Sequence, residues 1–390
     1  MKKNNKIKNI CIITYGYPSE KRMINTFVEE LVNKFCDKGI NCYVISPQSI
    51  TKSLIRKVKI NSKFYYRKSD NGIKIPVYSP IFLTFSNKLK LFNKINLFNF
   101  NFVVNRIFKK IKKEVKFDVI YSHFIFPSGI VANKLGKRYN IPVFVAYGES
   151  SNYSIDYLGK EETKKLLDCI KGVISVSTEN KNRLIKTNVV SNDIINVFPN
   201  AINKNNFYKK DKCECRKKLG FNKDDFIVIF VGRYVSIKGI DRLCSALNNI
   251  NNDNIKGVFI GEGTLKPNYK NTIFEGMIDH NKLIDYLCAS DIFVLPTTEE
   301  GCCNSIIEAL ACGLPVISSN ESFNDDILDD NSSIRIDTKN IKEIENAIIK
   351  LYNDKNLRDK LSDNALKKSK NFDIDERAKN IIEFMGEKMK

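Results

Sequence analysis

The sequence lacks any apolar run long enough to cross a bilayer. Its longest runs, such as Phe226–Val231 (FIVIFV), fall far short of the ~20 residues that a membrane-spanning helix needs. The basic N-terminus leads into a short strand-like run with no small-residue cleavage site after it, so we expect no signal peptide. Because 43% of the residues are hydrophobic and 28% are charged, the composition is globular. These features predict a cytoplasmic protein with buried strands.

Metal-binding cysteine spacings are also missing. The eleven cysteines are scattered, no CxxC…CxxC set occurs, and the close pair Cys213 and Cys215 has no histidine nearby. Several others, such as Cys11 and Cys244, lie within apolar strand or helix patterns. We therefore expect reduced, mostly buried thiols rather than disulfides.

Acidic residues are scarce in one part of the chain. The net charge is +20, and between residues 50 and 117 the only acids are Asp70 and Glu114. Such a segment attracts a polyanion or an anionic membrane surface. Within residues 86–116, apolar residues recur at helical spacing while lysines occupy other faces. The apolar residues are Leu91, Ile95, Phe98 and Phe102, and the lysines are Lys109, Lys110, Lys112 and Lys113. This pattern predicts a helix on the inner membrane surface, with packing of the aromatics into a core as the alternative.

Short β-branched runs alternate with helical patterns along both halves of the chain. This alternation predicts parallel sheets with crossover helices, and 390 residues suffice for two domains. The predicted strands cover residues 9–14, 41–46, 118–121, 143–146, 172–177, 226–231, 257–260, 291–295 and 315–318. We predict an α/β fold with two doubly wound domains facing across a cleft. The first spans 1–200 and is completed by a C-terminal helix at 372–390; the second spans 201–371.

The stretch 291–318 (DIFVLPTTEEGCCNSIIEALACGLPVIS) carries the strongest chemical signal. A buried strand is followed by a polar loop, by Gly301 and by the start of a helix. A helix N-terminus with free N–H groups binds phosphate. Glu300 precedes that helix start and Glu308 lies two turns along it, so one carboxylate suits sugar hydroxyls and the other a ribose. Taken alone, such a glutamate pair more often only meets solvent.

The stretch 226–243 (FIVIFVGRYVSIKGIDRL) carries a second signal. A buried strand ends at Gly232, and Arg233 and Lys238 follow in the loop. Two cations at a strand's carboxyl end suit a diphosphate, because guanidinium binds two oxygens at once and ammonium acts as a point charge. Either cation alone would be an ordinary surface residue.

Together, GRxxxxKG and E-G-x-x-N-x-x-x-E-A-x-A-x-G-x-P-V resemble the retaining family-4 (group 1) glycosyltransferases of GT-B fold, of the bacterial cell-surface polysaccharide type. The resemblance extends over nearly the whole chain. It implies that Arg233, Lys238 and Glu300 are catalytic, the cations neutralising the leaving diphosphate and Glu300 contacting the donor sugar. The resemblance also implies a set of donor-binding residues: Gly16, Gly232, Met277, Ile278, Gly301, Cys302, Cys303, Asn304 and Glu308.

The first half departs from the family pattern. The glycine pair of its first loop appears as Tyr15–Pro18 (YGYP), and the family's His-Gly appears as Tyr147-Gly148. Tyr147 is the candidate replacement for that histidine in contacting the transferred sugar. His123 matches a second family histidine loosely and is a further candidate contact.

The family resemblance implies transfer of a hexose with retention of anomeric configuration. UDP is the expected nucleotide on family frequency, with GDP as the alternative, and the acceptor is expected to be a lipid-linked or growing glycan. No essential metal and no cofactor are expected, in keeping with the lack of a DxD motif in a site-like loop. The alternatives are a nucleotide-sugar epimerase of the same architecture, a polyanion-binding or nucleic-acid-binding protein, and a non-catalytic nucleotide-sugar sensor. The paired motifs favour the transferase and no nucleic-acid partner.

Overall fold

The computed structural model describes residues 7–21, 24–56, 59–85 and 90–390. The chain forms two compact units. Unit 1 comprises Met1–Phe198 and Asp375–Lys390, and unit 2 comprises Pro199–Ile374. These boundaries lie within three residues of the ones predicted from the sequence.

The elements follow one another in α/β order. The strands are β1 (Asn9–Thr14), β2 (Asn41–Ile45), β3 (Gln48–Ser49), β4 (Phe64–Lys68), β5 (Lys74–Tyr78), β6 (Ile81–Phe82), β7 (Val119–His123), β8 (Val143–Tyr147), β9 (Gly172–Ser175), β10 (Ile195–Val197), β11 (Phe226–Val231), β12 (Ile255–Ile260), β13 (Thr272–Gly276), β14 (Ile292–Leu295), β15 (Val316–Ser319) and β16 (Ser333–Ile336). The helices are α1 (Thr26–Asp37), α2 (Ile50–Arg56), α3 (Lys90–Lys112), α4 (Ile130–Tyr139), α5 (Tyr153–Leu158), α6 (Lys160–Leu166), α7 (Thr178–Thr187), α8 (Lys212–Leu219), α9 (Ile240–Ile250), α10 (Leu283–Ala289), α11 (Asn304–Ala311), α12 (Ile341–Asn353), α13 (Lys355–Ser369) and α14 (Ile374–Lys388).

The main sheet of unit 1 has the order β10-β9-β8-β7-β1-β2-β5-β4. Its strands pair in parallel except for β4 with β5, which form an antiparallel edge. The central strands are buried along their length, as parallel strands with helices on both faces must be. The chain reverses its direction of winding between β1 and β7, and in such sheets ligands bind beside that point, at the carboxyl ends of the strands.

The sheet of unit 2 has the order β13-β12-β11-β14-β15-β16, and all of its pairs are parallel. Its winding reverses between β11 and β14. The loops that follow these two strands carry Gly232 and Glu300, the two motifs singled out in the sequence. The topology therefore brings both motifs to the one edge where a ligand site is expected.

Helix α3 buries a different stripe from the one that the sequence suggested. Leu97, Phe100, Val104, Phe108 and Ile111 are buried in the core of unit 1. The predicted anchors Phe98 and Phe102 lie on the other side and are 66% and 59% exposed. Packing of these two aromatics into the core, the alternative weighed above, is therefore wrong. Residues 86–89 of the predicted segment lie outside the described residues.

The strand at 226–231 matches its prediction, and the other predicted strands lie within two residues of the observed bounds. The sequence did not indicate the β4–β5 hairpin, β13 or β16, and each of these strands is at an edge of its sheet or next to one. Of the eleven cysteines, nine are buried, while Cys169 is partly exposed and Cys213 is exposed. Within the described ranges, no helix combines the length and the apolarity needed to cross a membrane.

Candidate functional site

In unit 2, the loop after β11 packs against the loop after β14. Gly239, with φ 77°, begins α9 so close to the second loop that a Cβ there would lie 2.2 Å from the carbonyl oxygen of Pro296. Arg242 donates to the same carbonyl at 2.8 Å. A glycine is therefore required at position 239, which explains the last residue of the GRxxxxKG motif.

This contact between the loops brings Lys238 and Glu300 together. The Lys238 ammonium and the Glu300 carboxylate form an ion pair, and their side chains are only 14% and 12% exposed. Arg233, the other predicted cation, is exposed one residue after Gly232. Two of the three predicted catalytic residues are thus in contact, and the third lies in the same loop as Lys238.

The N-terminus of α11 follows the loop that carries Glu300. Its N-cap residue is Cys303, and no side-chain cap hydrogen bond is formed there. A helix N-terminus without such a cap is a place where proteins bind anions. Burial raises the pKa of the Cys303 thiol to about 12, so this cysteine stays neutral and is unsuited to act as a nucleophile.

Asn200 fixes the loop that leads into α11. Its side-chain amide donates to the carbonyl oxygen of Cys302 at 3.1 Å and to Oδ1 of Asn304 at 2.8 Å. Its backbone N–H meets Cys302 Sγ at 3.3 Å. Sequence reasoning identified Asn200 only as part of the interdomain linker. It missed this positioning role because the partners lie about a hundred residues away.

Glu308 projects from α11 and is 6% exposed. His280 Nε2 lies 3.0 Å from Glu308 Oε1, and the imidazole packs edge-on against Phe207 at 5.2 Å between ring centroids. His280 orients the predicted ribose carboxylate. His280 was not among the residues predicted from the sequence, although its place two residues after the predicted donor-binding residue Ile278 was a usable signal.

Strand β13 carries the predicted donor-binding residues Met277 and Ile278 to the same edge of the sheet. Gly276, with φ 131°, ends the strand and donates its N–H to the Tyr234 hydroxyl at 3.2 Å. The next residue, Met277, is 64% exposed, and Ile278 is partly exposed. These two residues lie beside the loop after β11, because Gly276 is hydrogen-bonded to Tyr234 of that loop.

The predicted residues of unit 1 also gather at the carboxyl edge of its sheet. Gly16, with φ 108°, follows β1. Its N–H donates to Ser46 Oγ at 3.3 Å, and this hydrogen bond positions it. His123 ends β7 and Tyr147 ends β8. The topology therefore brings these three residues to neighbouring strand ends.

The side chains of His123 and Tyr147 are buried and do not face solvent. His123 is 3% exposed among the rings of Phe27 and Phe124, and burial, with Arg377 adding to it, lowers its pKa to about 3. It is therefore neutral at physiological pH. Tyr147 is 1% exposed and its hydroxyl donates to Asn152 Oδ1 at 3.0 Å. Their contact with a sugar stays a prediction that requires these side chains to open.

A buried acid in the same region escaped the sequence analysis. Glu149 Oε1 accepts the N–H of Ile125 at 3.1 Å and the Ser154 hydroxyl at 3.4 Å, whereas Oε2 is buried without a hydrogen-bond partner. Burial raises the Glu149 pKa to about 7. Nothing in the local sequence YGES indicates such burial.

A cavity of about 210 Å³ opens beside Gly16, and we call it the serine cavity. Four of its lining residues are serines: Ser46, Ser49, Ser53 and Ser79. Gln48, Asn61 and Lys59 add amides and an ammonium group, and Tyr15 adds an aromatic wall. The lining is rich in polar groups, among which the Gln48 amide is already bonded to the backbone of Asn61 and Ser79.

Comparison with known protein families adds an independent line of evidence. Residues 24–206 match the model of Glycosyltransferase Family 4, and residues 211–368 match that of Glycosyl transferases group 1. The two matches correspond to units 1 and 2 in turn.

Individual relatives agree with the family models. The putative teichuronic acid biosynthesis glycosyltransferase TuaC of Bacillus subtilis is 30% identical over 323 residues, which cover 79% of this chain and 80% of that protein. The UDP-Gal:alpha-D-GlcNAc-diphosphoundecaprenol alpha-1,3-galactosyltransferase of Escherichia coli is 28% identical over 274 residues, covering 64% and 70%. Among solved structures, HepE of Anabaena in complex with UDP has a TM-score of 0.72 at 15% identity, covering 97% and 99%.

Proposed function

Because the chain belongs to the group 1, family 4 glycosyltransferases of GT-B fold, we propose that it transfers a hexose from a UDP-sugar to a lipid-linked or growing glycan, with retention of anomeric configuration. The Lys238–Glu300 ion pair beside the uncapped N-terminus of α11 is the observation that carries the proposal. It supplies charge where a sugar diphosphate must lose its sugar.

In this reaction the bond between the anomeric carbon and the diphosphate oxygen breaks, and negative charge builds on the departing UDP. The acceptor hydroxyl forms the new bond to that carbon and gives its proton to the departing diphosphate. Lys238, Arg233 and the first turn of α11 stabilise the charge on the diphosphate. Such groups are fixed before the reaction begins, so they stabilise the transition state without reorganising. Glu300 holds Lys238 in place and accepts hydrogen bonds from the sugar hydroxyls.

The ribose and the base of the donor bind at the same edge of the unit 2 sheet. Glu308, oriented by His280, accepts hydrogen bonds from the ribose hydroxyls. Met277, which is exposed, and Ile278, which is partly exposed, contact the base. HepE, a structural neighbour, is described in complex with UDP, which favours UDP as the nucleotide of this chain as well.

The serine cavity is the proposed place of the polar part of the acceptor. Its hydroxyls and amides suit sugar hydroxyls, and Lys59 suits a phosphate. The galactosyltransferase of E. coli is named for a diphosphoundecaprenol acceptor, which joins a polar head to a lipid tail.

An apolar rim beside the serine cavity suits that lipid tail. Leu54 and Ile55 of α2, and Leu83 and Phe85 after β6, are exposed by between 44% and 77%. Thr84 ties these segments together, because its N–H donates to Thr51 Oγ1 at 3.3 Å. Exposed apolar side chains in such a patch mark a membrane or ligand surface. We propose that the rim and the exposed face of α3 hold the enzyme at the cytoplasmic face of an anionic membrane.

A direct transfer assay tests the proposal. Purified protein would be incubated with UDP-glucose, UDP-galactose or UDP-N-acetylglucosamine and a diphospho-polyprenyl sugar, and the products would be analysed by mass spectrometry. The expected product carries one added hexose in the configuration of the donor. Hydrolysis of the donor alone, or a product with inverted configuration, would contradict the proposal.

A further inference from the structure

The antiparallel β4–β5 hairpin presents a row of aromatic side chains at the edge of the unit 1 sheet. In its register Phe64 lies opposite Tyr78 and Tyr66 lies opposite Pro76, so all four share one face. The Phe64 ring is 5.0 Å from Tyr66 and 4.9 Å from Tyr78, centroid to centroid. We call these four residues the aromatic edge.

The aromatic edge is anchored at one end and open at the other. Tyr78 packs against the core of unit 1, which fixes the row in place. Phe64 and Tyr66 are 42% and 56% exposed. Large aromatic side chains grouped on a surface signal a binding function more strongly than scattered apolar residues do.

Positive charge surrounds the aromatic edge. Lys68 and Lys74 form the pair at the hairpin's turn, and Lys74 Nζ lies 5.9 Å from the centroid of the Tyr66 ring. Of the nearby acids, Glu29 pairs with Arg67 and Asp70 pairs with Lys34. Burial raises the pKa of Tyr78 and Glu114 is close enough to add to that rise, while Glu20 lines the same cavity as Tyr66. The two lysines beside exposed rings suit a ligand that combines apolar surface with negative charge.

We propose that the aromatic edge binds an acidic glycan, one whose sugars bear carboxylate or phosphate groups. The C–H groups on the face of a pyranose ring pack against the electron-rich face of an aromatic ring. Lysines within reach of the rings pair with the acidic substituents. Along this face the rings are followed by the lysine pair at the turn, so one ligand can contact both.

One residue is common to the serine cavity and to a cavity that Tyr66 lines. Asn61 lines the serine cavity and also lines this second cavity of about 90 Å³, together with Tyr65, Tyr66 and Arg67. In the proposal, a glycan seated in the serine cavity extends past Asn61 toward Tyr66. The identification of this glycan as the acceptor rests on the proposed function, whereas the binding of acidic glycan by the aromatic edge does not.

Binding of a soluble acidic glycan tests the inference without any reaction. Oligogalacturonate would be titrated into the full chain by isothermal calorimetry, with neutral dextran as the comparison. The double variant Phe64→Ser, Tyr66→Ser is expected to weaken oligogalacturonate binding by about tenfold, while Tyr66→Phe, which keeps the ring, is expected to bind like the wild type. Tyr208→Ser, which removes an exposed tyrosine of unit 2, is the matched control.

A second arm removes the charge. Lys68→Gln with Lys74→Gln is expected to weaken oligogalacturonate binding and to reduce its dependence on salt. Unchanged affinity of the Phe64, Tyr66 double variant would overturn the inference, as would equal binding of dextran. Two further results would overturn it. If the double variant still binds oligogalacturonate but no longer binds anionic vesicles, the surface serves a membrane. If it still binds oligogalacturonate but no longer self-associates, the surface serves a second copy of the chain.

The transfer assay separates this inference from the proposed function. The aromatic-edge variants are expected to transfer sugar to a short diphospho-polyprenyl acceptor at the wild-type rate, because such an acceptor ends within the serine cavity. Wild-type protein that binds oligogalacturonate through the aromatic edge but transfers no sugar would contradict the proposed function alone.

Discussion

At the scale of single residues, the partly buried Lys238–Glu300 pair joins two loops that lie 62 residues apart in the chain. An ion pair with so little exposure costs desolvation, and replacing one partner leaves the other without its counter-charge. Such a pair is more readily explained by a ligand that makes use of its charge than by stability. Both residues also sit on loops, whose backbone is held by Gly239 and Arg242 and not by the pair itself.

We expect Glu300→Gln and Lys238→Ala each to lower turnover by at least about tenfold, because each removes charge that bears on the transition state. The melting temperature should change little. Initial rates at saturating donor would measure the effect, and Glu299→Gln, a change at the exposed neighbouring residue, is the control. Near wild-type turnover in either variant would contradict the assigned roles.

Glu149 makes a second residue-scale prediction, which concerns pH. Its pKa rises from 4.5 to about 7 on folding, because burial penalises the charged carboxylate. The protonated form is thus favoured in the folded protein, so this contribution to stability is complete below pH 4.5 and is lost as the pH rises through 7. The loss amounts to about 3 kcal/mol at most.

Glu149→Gln should remove this pH dependence. We expect the unfolding free energy of the wild type to fall relative to that of the variant between pH 5 and pH 8, whatever the constant cost of the new amide. Urea unfolding across that range would measure the difference, with Glu161→Gln on the exposed face of α6 as the control. Parallel pH profiles for the wild type and Glu149→Gln would show that Glu149 is ionised in the folded protein.

At the scale of elements, α3 has two apolar faces with different tasks. The stripe from Leu97 to Ile111 packs on the sheet of unit 1, while Phe98 and Phe102 face away from it among basic residues. A helix whose second face combines aromatics and lysines suits the plane of an anionic bilayer. The core stripe holds the helix in place, so this second face needs no folding on the membrane.

We expect co-sedimentation with liposomes to rise with anionic lipid and to fall with salt. Replacing Lys109, Lys110, Lys112 and Lys113 by Gln should reduce binding by at least about tenfold, since each surface cation contributes on the order of 1 kcal/mol. The matched control replaces four exposed lysines of unit 2 by Gln: Lys339, Lys360, Lys367 and Lys370. Equal binding to neutral and anionic vesicles would contradict the membrane role and leave the transferase proposal intact.

At the scale of the whole molecule, the predicted site residues of each unit lie at one edge of its own sheet, and family membership identifies the chain as a glycosyltransferase. This favours the transferase over the epimerase and nucleic-acid-binding alternatives raised by the sequence. The positive charge at the donor edge comes from Arg233, Lys238 and the N-terminus of α11, all of them part of the chain. We propose that no metal ion is needed there.

Donor binding should therefore survive a chelator. We expect UDP to raise the melting temperature of the whole protein equally with and without EDTA, because a ligand that binds only the folded state stabilises it. Transfer rates should also persist in EDTA. Loss of both effects in EDTA, with recovery on adding Mg²⁺ or Mn²⁺, would overturn the proposal, and the Lys238→Ala variant is the control for a weakened diphosphate site.

The sequence by itself determined the α/β class, the buried parallel strands and the two motifs, because these depend on local patterns. A run as short as FIVIFV, rich in β-branched residues, favours a buried strand, and the spacing from Glu300 to Glu308 places one just before a helix and the other on it. The GRxxxxKG motif likewise showed where a diphosphate could bind, since a strand, a glycine and two cations are adjacent in the chain.

Only the tertiary structure decided which of these residues meet. The Lys238–Glu300 pair, the hold of Asn200 on Cys302 and the contact of His280 with Glu308 all join segments that are distant in sequence, so no local pattern announces them. The β4–β5 hairpin was missed for a related reason: half-exposed edge strands lack the continuous apolar run that marks a central strand. Burial decided the rest, because His123 and Glu149 owe their shifted pKa values to the packing of residues around them and not to their neighbours in the chain.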